Sequence, residues 1–459
     1  MAANVDAWLA VHKLGLGARP GELESVAKDP RGWLVEQLES PSSSAEPALV
    51  DLPSHGVLMA EGQQQAQLSK ETHRRWRREV YRTEATARLS TAVTTQRPFR
   101  ERWTRFWSNH LCVSASKKSI LPTVGAFERE VVRRHDTGRF SELVRASTRH
   151  PAMLTYLDNQ RSIGPDSPYG QRKGKGLNEN LARELLELHT LGVDGGYSQH
   201  DVIALAQMLT GWSVKVVKNG DTTVSHDAFS FGKRRHQPGP KRLLDTAYPS
   251  AGVREAEAAI DVLAQHPSTA RHLATKLARH FIADDPPSEV VDILESTWRA
   301  TGGDLKMVGQ TLVAEPRVWA ALNHENARKL RTPEELVIAI GRAAGLKADQ
   351  AQDAEQLHEL VLKCAWLGQE SMSPPSPQGW PDRAADWAAP EQVLRRVELA
   401  EDMGRLAARD FLADRDPVAW AESVLGPALA AGLRRKVAQA PDRSTACGLV
   451  FAAPVFQWR

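Results

Sequence analysis

Residues 178–212, NENLARELLELHTLGVDGGYSQHDVIALAQMLTGW, set up one apolar helical rhythm, break it with glycines, and start a second. At about 100° per residue, Leu181, Leu185 and Leu188 fall on one stripe of the first helix. Gly192 stops it, and Gly195 and Gly196 supply the turn. Ser198, with Asp201 three residues on, caps a second helix whose Val202, Leu205, Ala206 and Leu209 share a face. A calcium-loop reading of DGGYSQHD fails, because the glycine and terminal glutamate are not at the required positions. Two amphipathic helices joined by a short turn predict a helical fold.

The same rhythm runs outward in both directions. Residues 60–93 carry Leu68, Trp76, Val80 and Tyr81 on a thin apolar stripe, which predicts one long surface helix with Arg74, Arg75, Arg77 and Arg78 on its solvated face. In RPFRERWTRFWSNHLCVS, Pro98 suits a first turn, and Phe99, Trp103, Phe106, Trp107 and His110 recur on one face, turning His110 inward in a helix that continues to Cys112. Thr332-Pro333-Glu334-Glu335 caps a further helix. One excursion interrupts: β-branched residues flank Asn219-Gly220, the pair that best accepts a tight hairpin turn, so a small β-hairpin is expected near 213–231. The following FSFGKRRHQPGPKRLL reads as a basic surface loop, making 213–245 a hairpin-plus-loop insertion. Residues 371–389, rich in proline and carrying Trp380 and Trp387, read as a rigid loop whose indoles are either buried anchors or a stacking surface. The expectation is a mainly α chain, one continuous helical unit over residues 1–459.

The totals limit what such a unit does. Basic and acidic residues number 59 and 56, a net charge of +3, so no overall field steers the chain to nucleic acid. Cys112, Cys364 and Cys447 lie far apart with no C-x-x-C pair, which fits a reducing compartment. Asp6, His12 and Lys13 interrupt the apolar character of the first residues, and no run approaches the length of a membrane span. A cytoplasmic protein with no membrane span is expected.

FWSNHLCVS, HPAMLTYLDN, HPSTARHLATKLARHFIADDPP, PPSPQGWPD and APVFQWR, together with residues 178–212, resemble the large bacterial family catalogued as domain of unknown function 1800. The resemblance extends from about Val11 to the last residue and implies one continuous, mainly helical unit with no assigned activity. It also implies export for many members, often through a twin-arginine leader, which the first residues here do not show. Leu177 stands where the family usually has proline before NEN.

The candidate chemistry lies on the 178–191 helix. Glu179, Arg183 and Glu187 follow at i, i+4 spacing on the outer side and form a ladder of modest ion pairs. Glu184 borders the buried stripe beside Leu188, and His189 borders it from the other side, about 140° away, so this helix alone does not join them to one metal ion. His110 and His236 are the candidates to complete a set: His110, His189, His236 and Glu184 around a divalent metal ion, or Glu184 and His189 as a metal-free acid/base pair. The basic loops GQRKGKG, with Arg172, Lys173 and Lys175, and GKRRHQPGPKR, with Lys233, Arg234, Arg235 and Lys241, have glycines that let backbone approach an anion, and Lys241 is the expected contact to an anionic small molecule or glycan. No Walker loop, dinucleotide fingerprint or G-x-S-x-G occurs. Cys112 reads as a buried structural thiol. The function expected is an enzyme with a buried His/Glu pocket, a metal-dependent hydrolase or oxidoreductase. The alternative is a non-catalytic helical scaffold that binds a partner protein or glycan.

Overall fold

The computed structural model describes residues 2–39, 46–174, 176–215, 228–348 and 351–459. Helix predominates, as the periodicity predicts, and a single cluster of buried apolar side chains extends from Ala7 to Phe456. Polar bonds tie distant stretches of chain around it. His12 Nε2 meets the Val424 carbonyl at 2.9 Å, Arg342 donates to the Gly17 carbonyl at 2.8 Å and to Glu22 at 3.0 Å, and Leu330 pairs with Trp458.

The helix Pro98–His110 runs through the middle of this body. Its apolar face packs Phe99, Trp103 and Trp107 against Phe281, Phe140 and Trp298. The opposite face is buried too, which its charges do not foretell. Arg100, Arg102 and Arg105 are enclosed because each has a partner: Asp136 at 2.6 Å for Arg100, the carbonyls of Lys13 and His280 for Arg102, and Glu101 at 3.1 Å for Arg105. A buried guanidinium persists only under such compensation.

The expected long helix over residues 60–93 is two helices, His55–Leu68 and Lys70–Thr94. Ser69 between them is extended, and its hydroxyl accepts from the Thr72 amide at 3.0 Å, an N-cap inside an unbroken polar pattern. The two pack where Gly62 meets Trp76: a Cβ at Gly62 would lie 3.0 Å from the indole.

The hairpin expected near 213–231 is present as strands β1 (Trp212–Val214) and β2 (Phe229–Phe231), paired antiparallel with Trp212 opposite Phe231. Its Asn219-Gly220 turn lies outside the described residues. The segment read as a plain basic loop contains a second hairpin, β3 (Lys241–Leu243) and β4 (Thr246–Tyr248). Its turn residues, Leu244 and Asp245, both have positive φ without a glycine to announce it. Asp201 of the capping box steadies that turn by accepting the Leu244 amide at 2.8 Å.

The opening stretch folds as expected, with one departure. Residues Asn180–Glu184 are α-helical, but Leu185–His189 form a wider π turn. Thr190 closes it by donating its hydroxyl to the Leu185 carbonyl at 2.6 Å. The buried positions become Leu181, Ala182, Leu185, Leu186 and His189, while Leu188, placed on the stripe by an ideal α wheel, is only half-buried. A π turn shifts every following side chain around the axis, and so His189 moves fully into the core.

Candidate active site: a charged cavity under the 371–387 loop

The four side chains expected to form one metal set do not converge. His110 and His189 come together, with ring centroids 6.2 Å apart and His110 Nε2 on the His189 carbonyl at 3.1 Å. His236 belongs elsewhere. It bonds the Thr210 carbonyl at 2.9 Å and Glu255 at 3.2 Å, beneath the ring of Phe231. Glu184 is half-buried, its carboxyl pushed up by burial and then by Glu187. Among the described residues no group of three or more His, Cys, Asp or Glu side chains is placed to hold a metal ion.

Lys241 is likewise not a surface anion contact. Its ammonium is buried and donates to Glu255 at 2.6 Å and to the Gln237 carbonyl at 2.6 Å. Glu255 also accepts from the amides of Ala251 and Gly252. Burial pushes the Glu255 carboxyl up, but these donors outweigh it and hold it below the ordinary range. This buried pair joins the second hairpin to the helix Val253–Gln265 and is structural. Of the basic loops, Lys233 and Arg234 are exposed, Arg235 reaches the Gln160 carbonyl, and Lys175 lies outside the described residues.

A cavity of about 550 Å³ opens instead between the end of the Pro98–His110 helix, the helix Pro267–Phe281, and the proline-rich loop. The loop is its roof, and residues 109–115 hold it in place. Asn109 donates to the Trp380 carbonyl at 2.9 Å and accepts the Trp380 amide at 2.8 Å; Ser114 donates to the Pro374 carbonyl at 2.7 Å. Gly379 has φ +87°, and a Cβ there would come 2.4 Å from the Asn109 carbonyl, so this position admits only glycine. Trp387 is the buried anchor, its indole donating to the Pro381 carbonyl at 3.0 Å, whereas Trp380 is half-buried and lines the cavity.

Most charges in the wall neutralise one another. Arg88 pairs with Glu128 at 2.6 Å and with Glu334, and Arg105 meets Glu334 at 2.9 Å. Glu335 takes Arg459 at 2.8 Å, and Lys329 is held by Asp284 at 2.7 Å. His280 Nδ1 meets Asp382 at 3.1 Å while its Nε2 accepts from Arg102 at 3.3 Å, so the ring is used on both sides. Burial would raise the Asp382 carboxyl, yet the neighbouring His280 and Lys329 hold it down to about 2.

Lys276 and Arg279 are the cations left over, and Glu370 and Asp386 are exposed carboxylates in the same lining. Both cations line the cavity one helical turn apart, and neither has a carboxylate at ion-pair distance among the described residues. Arg279 donates its Nε–H to the Asp284 carbonyl at 3.2 Å. Lys276 Nζ lies 3.0 Å from His110 Nδ1, so His110 accepts there and donates its Nε2–H to His189. Burial lowers Lys276 to about 8, only partly opposed by Cys112 and Asp382. The histidines behind it are held neutral, again mainly by burial: His189 near 3, His272 near 4, His110 far below its usual value. Cys112 lies beyond the helix end, contrary to the expected continuation, and is a buried thiol pushed up to about 12.

A family model described as a protein of unknown function, DUF1800, matches residues 9–458. The chain belongs to that family. No curated protein and no solved structure matches it. The DUF1800 match covers every element of the cavity, including the roof loop and the helix bearing Lys276. Sequence reasoning placed His110 at the site and missed Lys276, Arg279, His280 and Asp382. A signal was there: His272, Lys276, Arg279 and His280 follow at helical spacing beside the stripe of Leu273, Leu277 and Phe281.

Proposed function

We propose that this DUF1800 protein is an enzyme whose site is the cavity beneath the 371–387 loop, and that it takes a small anionic molecule: a sugar acid, another carboxylate, or a phosphate. The observation that carries this is the pair Lys276 and Arg279, cations that line the cavity without a carboxylate at ion-pair distance among the described residues, while Arg88 and Arg105 in the same wall are paired with Glu128 and Glu334. Leaving a partly buried cation unmatched is costly unless a ligand supplies the anion. Arg279 offers a planar fork for a carboxylate or phosphate. Lys276, lowered to about 8, exchanges a proton readily near neutral pH, as a general base needs. Trp380 presents an indole to the cavity, which suits the face of a sugar ring.

The chemistry supported is acid–base or carbonyl chemistry centred on lysine, in place of the metal-dependent hydrolysis or oxidation expected from the sequence, because the three histidines of that expectation lie at two separate sites. Three buried, free cysteines fit a reducing compartment such as the cytoplasm, and no helix among the described residues is long and apolar enough to cross a membrane.

Titration calorimetry with sulfate, phosphate and glucuronate tests the reading. Wild type is expected to bind at least one of them. Arg279→Met should weaken that binding roughly tenfold or more, the loss of one charge-assisted contact. Lys233→Ala/Arg234→Ala, on the exposed loop, should bind like wild type. Binding lost through the exposed loop rather than through Arg279, or no binding to wild type, overturns the assignment.

A further inference from the structure

Resting on that reading, we propose that Lys276 is a nucleophile that forms an imine with an anionic aldehyde or ketone, such as a 2-oxo acid, whose charged group sits on Arg279. Three features of the geometry point to it. Lys276 is not pinned by a carboxylate, unlike Lys241 and Lys329, which donate to Glu255 and Asp284 at 2.6 Å and 2.7 Å. Its Nζ lines the cavity at 3.0 Å from a neutral ring nitrogen, His110 Nδ1. Arg279 lines the same wall one turn further along the same helix, where it can hold the anion beside the carbonyl.

The chemistry balances without an oxidant or reductant. The Lys276 amine attacks the carbonyl carbon and its lone pair becomes the new C–N bond, while the C=O π pair moves to oxygen. The proton released from nitrogen passes to His110 Nδ1 and then to the oxygen, giving a carbinolamine. The second N–H proton then passes to the same ring nitrogen and on to the hydroxyl, which leaves as water while the nitrogen lone pair forms the C=N bond on Lys276. His110 keeps its orientation throughout, because its Nε2–H is fixed on the His189 carbonyl at 3.1 Å. Hydrolysis by the reverse route restores the amine.

Trapping tests this on the full chain. Wild type is incubated with pyruvate or glyoxylate and sodium cyanoborohydride, and the labelled residue is mapped by peptide mass spectrometry. The expected result is a secondary amine on Lys276, suppressed by excess sulfate. Lys276→Arg, which keeps the cation, should lose this label while still binding sulfate by calorimetry. Arg279→Met should cut labelling by pyruvate roughly tenfold yet leave labelling by acetone unchanged, since only the anionic probe uses that guanidinium. Label confined to other lysines, or label at Lys276 indifferent to both sulfate and Arg279→Met, overturns the proposal. Sulfate binding through Arg279 without any label at Lys276 sinks the imine and leaves the anion site standing. Loss of both removes the anion site as well.

Discussion

Two lysines of this chain illustrate how far a residue's chemistry depends on what surrounds it. Lys241 stands in a run of glycines, prolines and basic residues and reads as a solvated anion contact, yet it is buried against Glu255. Glu255→Ala should therefore destabilise the protein by about 3 to 5 kcal/mol in urea unfolding, because it strands a buried ammonium. Lys233→Ala should cost under about 0.5 kcal/mol, as an exposed charge does. Equal effects would mean that Lys241 is not enclosed. Lys276 is the converse case, passed over in sequence because its polar stripe lies beside the apolar one of an ordinary amphipathic helix. Its pKa is lowered from 10.5 to about 8, so between those values the unfolded chain holds a proton that the folded chain has released. Stability then rises with pH across that window. Relative to Lys276→Met, wild type should gain on the order of 3 kcal/mol between pH 7 and pH 10.5, since each tenfold change in proton affinity is worth about 1.36 kcal/mol. A difference between the two proteins that does not change with pH would show that Lys276 titrates normally, despite Arg279 and the neutral His110, His189 and His272 around it.

Elements were legible where local rules decide them, and obscure where a single side chain overrides the pattern. Ser198 with Asp201 and Thr332 with Glu335 form the capping boxes that the sequence indicates. Ser69 breaks a helix although its flanks are uniformly polar and helical, because one hydroxyl on the Thr72 amide suffices. The π turn at Leu185–His189 leaves no compositional trace, and it displaced the buried stripe that the α wheel assigned. Thr190→Val should remove the bond that closes this turn and cost about 1 kcal/mol. A larger effect would come with movement of His189, detectable as a changed chemical shift of the His110 ring that it supports. The roof loop is tied down at several points, of which Asn109 holds the tip around Trp380. Asn109→Ala removes both of its bonds to Trp380, so amide exchange over residues 376–381 should accelerate while the global unfolding midpoint shifts little. Unchanged exchange there would place the anchoring elsewhere, as in the bond of Ser114 to Pro374.

At the scale of the whole molecule, periodicity and caps foretold a mainly helical body. What they could not foretell is which distant segments meet, because the cavity draws on the 98–110, 267–281, 333–344 and 371–387 stretches, and only folding brings these together. The pairing of Arg88 with Glu128 and Glu334 spans 246 residues of chain, and no spacing rule reaches so far. With one apolar cluster running from Ala7 to Phe456, cleavage between Gly192 and Ser198 should not yield two pieces that each unfold cooperatively; two separate transitions would count against a single body. The central claim is that this body keeps an unmatched lysine in a cavity for an anion. It is tested most directly by carbon NMR of the protein with ¹³Cε-labelled lysine, following the Lys276 signal through a pH titration with and without sulfate, and assigning it by its loss in Lys276→Arg. The account predicts a midpoint near 8 in the free protein, moving upward when sulfate binds, because the anion favours the charged amine. A midpoint near 10.5 that sulfate leaves unmoved would contradict it.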